Sequence, residues 1–178
     1  MSGKSRSDGW PRVARTPGGL AYRIRPIRKD DATREREFIL GLSPTSRFQR
    51  LMYTLREPSD DFIAHLVDVD QHRNMALVAT VGDDDGERFI GVARYSADET
   101  GVGCEFAVAV SDEWQCRGIG STLTKMLFDY ARTQGFRTIY GQVLADNQRM
   151  IDLADWLGLT VEPQVPGQPT VRVTRRLD

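Results

Sequence analysis

The sequence predicts an α+β fold, a mixed, mostly antiparallel central sheet with helices on both faces and one parallel strand–helix–strand unit. Three observations predict it. Met75–Val81, Arg88–Ser96 and Val102–Val110 are short strand-like runs joined by brief turns, the pattern of an antiparallel meander. After Gly120 the apolar residues fall at helical spacing, and a buried-type strand follows at Thr138–Leu144, so strand, helix and strand make a crossover. Finally, 178 residues with 40% hydrophobic content suit one domain that buries its own core.

Taken in order, residues 1–19 read as a flexible basic N-terminal arm, broken by Gly and Pro, ahead of a single domain over 20–178. Ala21–Ile27 sets Tyr22, Ile24 and Pro26 against Arg23 and Arg25, a strand whose proline keeps it near an edge. Asp30 or Asp31 can cap a helix running to Leu42, which Ser43-Pro44 breaks. Phe48, Leu51, Met52 and Tyr53 then belong either to a helix packed on the sheet or to part of an acceptor groove. Ser59 or Asp60 opens a helix with the apolar stripe Phe62, Ile63, Leu66 and Val67. Gly82–Gly86 turns the meander. Leu123, Met126, Leu127, Tyr130 and Ala131 line one helix face, with Gly135 as its C-terminal cap. Met150, Ile151, Leu153, Ala154 and Leu157 mark a last helix ending at Gly158, and Thr170–Thr174 a last strand.

Composition excludes several classes. Two cysteines cannot build a disulfide framework and point to a reduced, cytoplasmic setting. No run approaches the ~18 apolar residues of a membrane span, and the first residues lack a secretory signal. A net charge of −1 argues against a nucleic-acid partner. That total averages two unlike segments, since residues 1–36 hold ten Lys/Arg against four Asp/Glu and residues 51–115 hold four against fourteen. The acidic middle is either an ordinary solvated surface or a face that attracts a cationic substrate. The two His, the two Cys and the Asp83–Asp85 run lack metal-ligand spacing, so no metal is expected.

The chemistry-bearing segment is the strand-to-helix junction Val110-Ser111-Asp112-Glu113-Trp114-Gln115-Cys116-Arg117-Gly118-Ile119-Gly120-Ser121. Two glycines two apart allow a tight turn and a close backbone approach to a ligand. The helix beginning near Gly120 turns its unpaired N–H groups and positive dipole end into the loop, an arrangement that binds phosphates. Arg117 adds a positive charge at the rim. On glycine spacing alone, an ordinary strand-to-helix turn is an equal reading.

Gln-x-x-Gly-x-Gly before a helix resembles the pyrophosphate-binding signature of the GNAT N-acetyltransferases, and the element order of the whole chain is similar to theirs. Asn147 and Leu157-Gly158-Leu159 match positions where the superfamily carries an Asn and an aliphatic-Gly-aromatic ending. The resemblance covers residues 21–162. Leu42–Phe48, Met75–Ala79, Glu105–Val108 and Val143–Met150 look like the bacterial protein-lysine acetyltransferases that act on acyl-CoA synthetases, which often carry an additional domain.

The resemblance implies acetyl-CoA as co-substrate. A lysine amine has an ordinary pKa near 10.4, so making it neutral at pH 7.4 costs about 4 kcal/mol, which a positioned base can offset. Glu105 is the candidate base. It interrupts the apolar strand Cys104–Val110, shares a face with Ala107 and Ala109, and should have its pKa raised by desolvation. The family also implies that the backbone of Phe106, Ala107, Val108 and Val110 pairs with the coenzyme arm, an N–H near Val108 polarising the thioester carbonyl. Gln115, Cys116, Arg117, Gly118, Ile119, Gly120 and Ser121 would hold the pyrophosphate. Asn147 would touch the coenzyme arm or act as a plain helix cap. Many GNATs place a Tyr acid seven residues beyond this Asn; here that position is Ala154, leaving Tyr140 or water. With no His near Cys116 in sequence, direct transfer in a ternary complex is expected over a cysteine nucleophile.

These expectations make the chain an N-acetyltransferase acting on a lysine of a protein such as an acyl-CoA synthetase. The alternatives are acetylation of a small amine or polyamine, and non-catalytic acyl-CoA sensing.

Overall fold

The computed structural model describes residues 9–83 and 85–178. Elements follow as β1 (Arg12–Arg15), β2 (Ala21–Pro26), α1 (Ala32–Gly41), α2 (Pro44–Leu51), α3 (Asp60–Val67), β3 (Asn74–Val81), β4 (Arg88–Ala97) and β5 (Gly103–Val110). After them come α4 (Ile119–Thr133), β6 (Thr138–Leu144), α5 (Gln148–Trp156), β7 (Thr160–Val161) and β8 (Thr170–Arg176).

The strands form one sheet in the order β1-β2-β3-β4-β5-β6-β8-β7. Each neighbouring pair is antiparallel except β5 and β6, the parallel pair expected from the crossover through α4. Alternation along the central strand β3 sends Met75, Leu77 and Ala79 to one face and Ala76 and Val78 to the other, all buried. The first face is covered by α4, through Ile119, Leu123 and Leu127, and by Ala154 and Leu157 at α5. The second is covered by α1 and α3 through Phe38, Ile39, Ile63 and Val67. Helices thus lie on both faces.

Three expectations change. Residues 12–15 of the supposed arm pair antiparallel with Ala21–Ile24, so β1 covers the edge that Pro26 was thought to occupy. Backbone pairing recruits this stretch, which carries no apolar alternation, and residues 1–8 lie outside the described chain. Ser43-Pro44 both stops α1 and starts α2. The Ser43 hydroxyl accepts from the Ser46 N–H at 3.1 Å, and Pro44 occupies the first turn, where its missing N–H removes no bond.

Third, folding neutralises part of the charge segregation among the described residues. Because β2 pairs with β3 and α1 packs on α3, the basic first segment lies beside the acidic middle. Arg25 pairs with Asp31 at 2.7 Å and with Glu87, Lys29 with Asp68 at 2.9 Å, and Arg36 with Asp60.

Candidate active site

The site begins where the only parallel pairing among the described residues stops. β5 and β6 pair through Gly103–Thr138, Cys104–Ile139 and Glu105–Tyr140, and no further. Beyond that rung the strands fork. Ser111 N–H donates to the Ile90 carbonyl and Asp98 N–H to that of Gly103, so odd-numbered residues of β5 turn their backbone groups toward β4. The Val102 carbonyl accepts from the Arg137 N–H on the opposite side. By alternation, the backbone groups of Phe106, Val108 and Val110 face the fork.

Gly141 stands in the crotch. A Cβ there would lie 3.0 Å from Phe106 Cε1 and 3.2 Å from the Phe106 carbonyl oxygen, so glycine lets β6 pass close to Phe106 without displacing it. The fork widens into a cleft of about 720 Å³. Phe106, Ala107, Val108 and Val110 form one wall, and Gln115, Cys116, Gly118, Ile119, Gly120 and Ser121 close one end.

At that end the chain turns through two left-handed residues, Cys116 (φ 59°) and Gly118 (φ 78°). The turn sets the start of α4 against the cleft. Thr122 N–H is the first to bond back, to the Gly118 carbonyl at 3.1 Å, leaving the amides before it aimed outward. Gly118 owes its identity to φ. Gly120 does not owe its identity to packing, since a Cβ there meets only Val110 and Leu153 at 3.5 and 3.8 Å.

The structure sorts the remaining expectations. Asn147 lines the cleft and also caps α5, its Oδ1 accepting from the Met150 N–H at 3.3 Å. Arg117 is not brought to the cleft; it stacks over the Trp114 ring, 5.3 Å from the centroid. Glu105 lies at the last β5–β6 rung with its side chain exposed, so the burial expected to perturb it is missing. It follows the pleat onto the same sheet face as Ala107 and Ala109, toward α2. Tyr140 is opposite Glu105, but Arg172 covers its ring at 3.8 Å, burial raises its pKa, and it is not among the cleft's lining residues. The raised pKa and its place outside the cleft weaken it as a proton donor. Ala154 is fully buried in the core. Cys116 is exposed, whereas Cys104 is buried with its thiol pushed up to about 12 by desolvation, which leaves it inert.

Several contacts escaped the sequence reading. Asp112 accepts from the Ser43 N–H and Oγ and from the Ser46 Oγ at 2.7–2.9 Å, tying the start of α2 to the glycine loop. Those bonds lower its pKa against the pull of partial burial. Gln115 donates to Val110 O at 3.0 Å and accepts from Arg149 Nη1 at 3.0 Å, bridging β5 and α5. Arg50 of α2 lines the cleft on the side of Ala107 and Ala109. Beneath it, Arg94 of β4 holds the buried Glu35 of α1 at 2.8 Å. A charged residue inside an otherwise apolar strand, as Arg94 is in Phe89–Tyr95, was the available signal.

A mixed sheet forked at its one parallel pair, with a glycine-bearing loop and a helix amino end at the fork, is the GNAT fold. Over residues 40–159 the chain matches the model of the Acetyltransferase (GNAT) family, and it belongs to that family. Acetyltransferase PA5475 of Pseudomonas aeruginosa is 40% identical over 151 residues, 85% of this chain and 80% of that protein. Acetyltransferase Pat of Mycolicibacterium smegmatis is 28% identical over 141 residues, 79% of this chain and 41% of that protein, so the chain spans less than half of that relative. The crystal structure of the GNAT domain of S. lividans PAT superposes with a TM-score of 0.87 at 26% identity, covering 97% of this chain and 99% of that one. The chain is accordingly a GNAT-type acyltransferase.

Proposed function

We propose that this enzyme moves the acetyl group of acetyl-CoA to a lysine side-chain amine of a protein by direct attack in a ternary complex. The observation that carries the reading is the fork: the backbone of Val108 and Val110 faces an opening at whose last closed rung stands Glu105. Acetyl-CoA supplies an acyl thioester. Backbone groups of Phe106, Val108 and Val110 suit its amide-bearing arm, with the Val108 N–H available to a carbonyl oxygen that gains negative charge. The amides from Cys116 to Ser121 suit the pyrophosphate, and Arg149 offers a guanidinium to the same anion. Asn147 is near enough to serve both as cap and as a contact to the coenzyme.

Glu105 accepts the proton of the acceptor ammonium, directly or through water. The neutral amine then forms the N–C bond as the C–S bond breaks. The thiolate leaves without a dedicated tyrosine acid, which its ordinary pKa of about 8.5 allows, and it takes up, through water, the second proton that the nitrogen sheds as the amide forms. Because Glu105 is exposed, an acceptor on a long flexible arm reaches it from solvent, which supports a protein lysine. The similarity of residues 42–48 and 143–150 to protein-lysine acetyltransferases supports the same acceptor, with a metabolic enzyme such as an acyl-CoA synthetase as the first candidate.

The test is incubation of the enzyme with radiolabelled acetyl-CoA and a bacterial lysate, followed by identification of the products. Labelled protein lysines are expected. Label confined to small amines would replace the acceptor class, and no transfer at all would overturn the reading.

A further inference from the structure

Arg50 is a guanidinium without a partner. Among the described residues it makes neither a hydrogen bond nor an ion pair, although it projects into the wall of the cleft from the last turn of α2. One turn earlier on the same helix, Arg47 donates through both Nη atoms to the carbonyls of Leu40, Leu42, Leu55 and Arg56. The difference assigns Arg47 to holding the fold and leaves Arg50 without a structural task. A half-buried cation without a counter-ion is unfavourable.

The nearby anions make no bond to it: one oxygen of Glu35 is without a partner, and Glu105 is exposed. Glu35 Oε1 accepts from Arg94 Nη2 at 2.8 Å, and Arg94 donates in addition to the Leu66 carbonyl at 3.1 Å. Glu105 is the base of the reaction proposed above and loses its charge when it takes the proton. Burial pulls the Arg50 guanidinium down to about 10; Arg94 adds to that pull, while Glu35, Tyr53 and Glu105 oppose it. Two guanidinium groups, an incoming ammonium and two carboxylates leave this end of the cleft short of negative charge.

We propose that Arg50 is a specificity-determining residue that binds a carboxylate carried by the acceptor next to its reacting amine. A guanidinium takes a carboxylate through two parallel N–H···O bonds, which fixes orientation as well as charge. In a protein acceptor this carboxylate is an Asp or Glu flanking the lysine; in a small acceptor it is the α-carboxylate of an amino acid. The inference rests on the N-acetyltransferase reading and adds the chemistry of the acceptor to it.

The experiment profiles acetylated sites by mass spectrometry after wild-type, R50Q and R50E enzymes act on one lysate with acetyl-CoA. Peptides of the leading sites follow, each with its flanking Asp or Glu changed to the amide. The wild type should favour the acidic peptide by about 10- to 100-fold in kcat/KM, the worth of one charge-assisted pair. R50Q should bring that ratio to about 1, and R50E should shift the profile toward lysines flanked by Lys or Arg. Where only small amines are labelled, lysine against lysinamide makes the same comparison. A wild type that transfers acetyl groups with no preference for the acid, or an R50Q that retains the preference, overturns the role of Arg50 and leaves the transferase reading intact. Absence of transfer by the wild type overturns that reading itself.

Discussion

Replacing Glu35 with Ala tests whether the charge cluster under the cleft is a stabilising element or a device for holding cations in place. Glu35 is 3% exposed, and its Oε2 has no hydrogen-bond partner, as is also true of Arg94 Nε. Burial raises the pKa of Glu35 above its ordinary value despite Arg94, and lowers that of Arg94 despite Glu35. Both partners move toward neutrality, so desolvation outweighs their attraction. Removing Glu35 alone strands Arg94, whose side chain is 14% exposed, with one carbonyl for a partner. That should cost about 3–5 kcal/mol. With a urea slope of about 2 kcal/mol/M for a chain this size, the midpoint should fall by about 2 M. The double replacement Glu35→Leu with Arg94→Met removes both charges and should return to within about 1 kcal/mol of the wild type, or exceed it.

The same pair predicts a pH dependence. A carboxyl whose folded pKa is raised contributes stability below the ordinary glutamate value, and that contribution is lost as pH rises through the folded value. Urea midpoints of Glu35→Gln should lack this decline. A Glu35→Ala midpoint within 0.5 M of the wild type, taking about 1 kcal/mol as the threshold, would refute the reasoning, as would a double variant as unstable as the single one.

Glu105→Gln should lower kcat by roughly 10²–10⁴ while titration calorimetry shows unchanged acetyl-CoA affinity; an unchanged kcat would remove Glu105 from the mechanism. Gly141→Ala puts a methyl 3.0 Å from the Phe106 ring and 3.2 Å from its carbonyl, so it should lose about 1–3 kcal/mol in urea unfolding and weaken coenzyme binding. Gly118→Ala should lose about 1 kcal/mol through its positive φ, whereas Gly120→Ala should fold normally, so any effect of the latter on acetyl-CoA affinity reports contact with the ligand. Iodoacetamide should alkylate Cys116 and spare Cys104, and acetyl-CoA should protect Cys116; equal labelling of both thiols would contradict the burial of Cys104.

Period and punctuation carried most of the fold. The meander, the crossover and the helices other than α2 follow from spacing that survives in one dimension, because each element must bury one face and cap its own ends. β1 was not legible, since its pairing uses backbone groups that every residue carries. β7 failed for shortness: two residues show no period. In the candidate site, the glycine loop and the carboxylate at Glu105 were legible because turns and interruptions leave local signatures, whereas Asn147 and the wall residues of β5 came from the family resemblance.

What the sequence determined by itself was a glycine-bearing loop before a helix and a strand that carries one carboxylate among apolar neighbours; the class of chemistry came from the resemblance of that loop and of the element order to the GNAT N-acetyltransferases. Only the tertiary structure decided where the charges go. It set the basic first segment against part of the acidic middle, and it exposed Glu105. It also stacked Arg117 on Trp114 and brought Arg50, Glu35 and Arg94 together from α2, α1 and β4. Charge acts through distance in space, and residues 35, 50, 94 and 105 come within reach of one another only after the sheet has paired and the helices have packed on it.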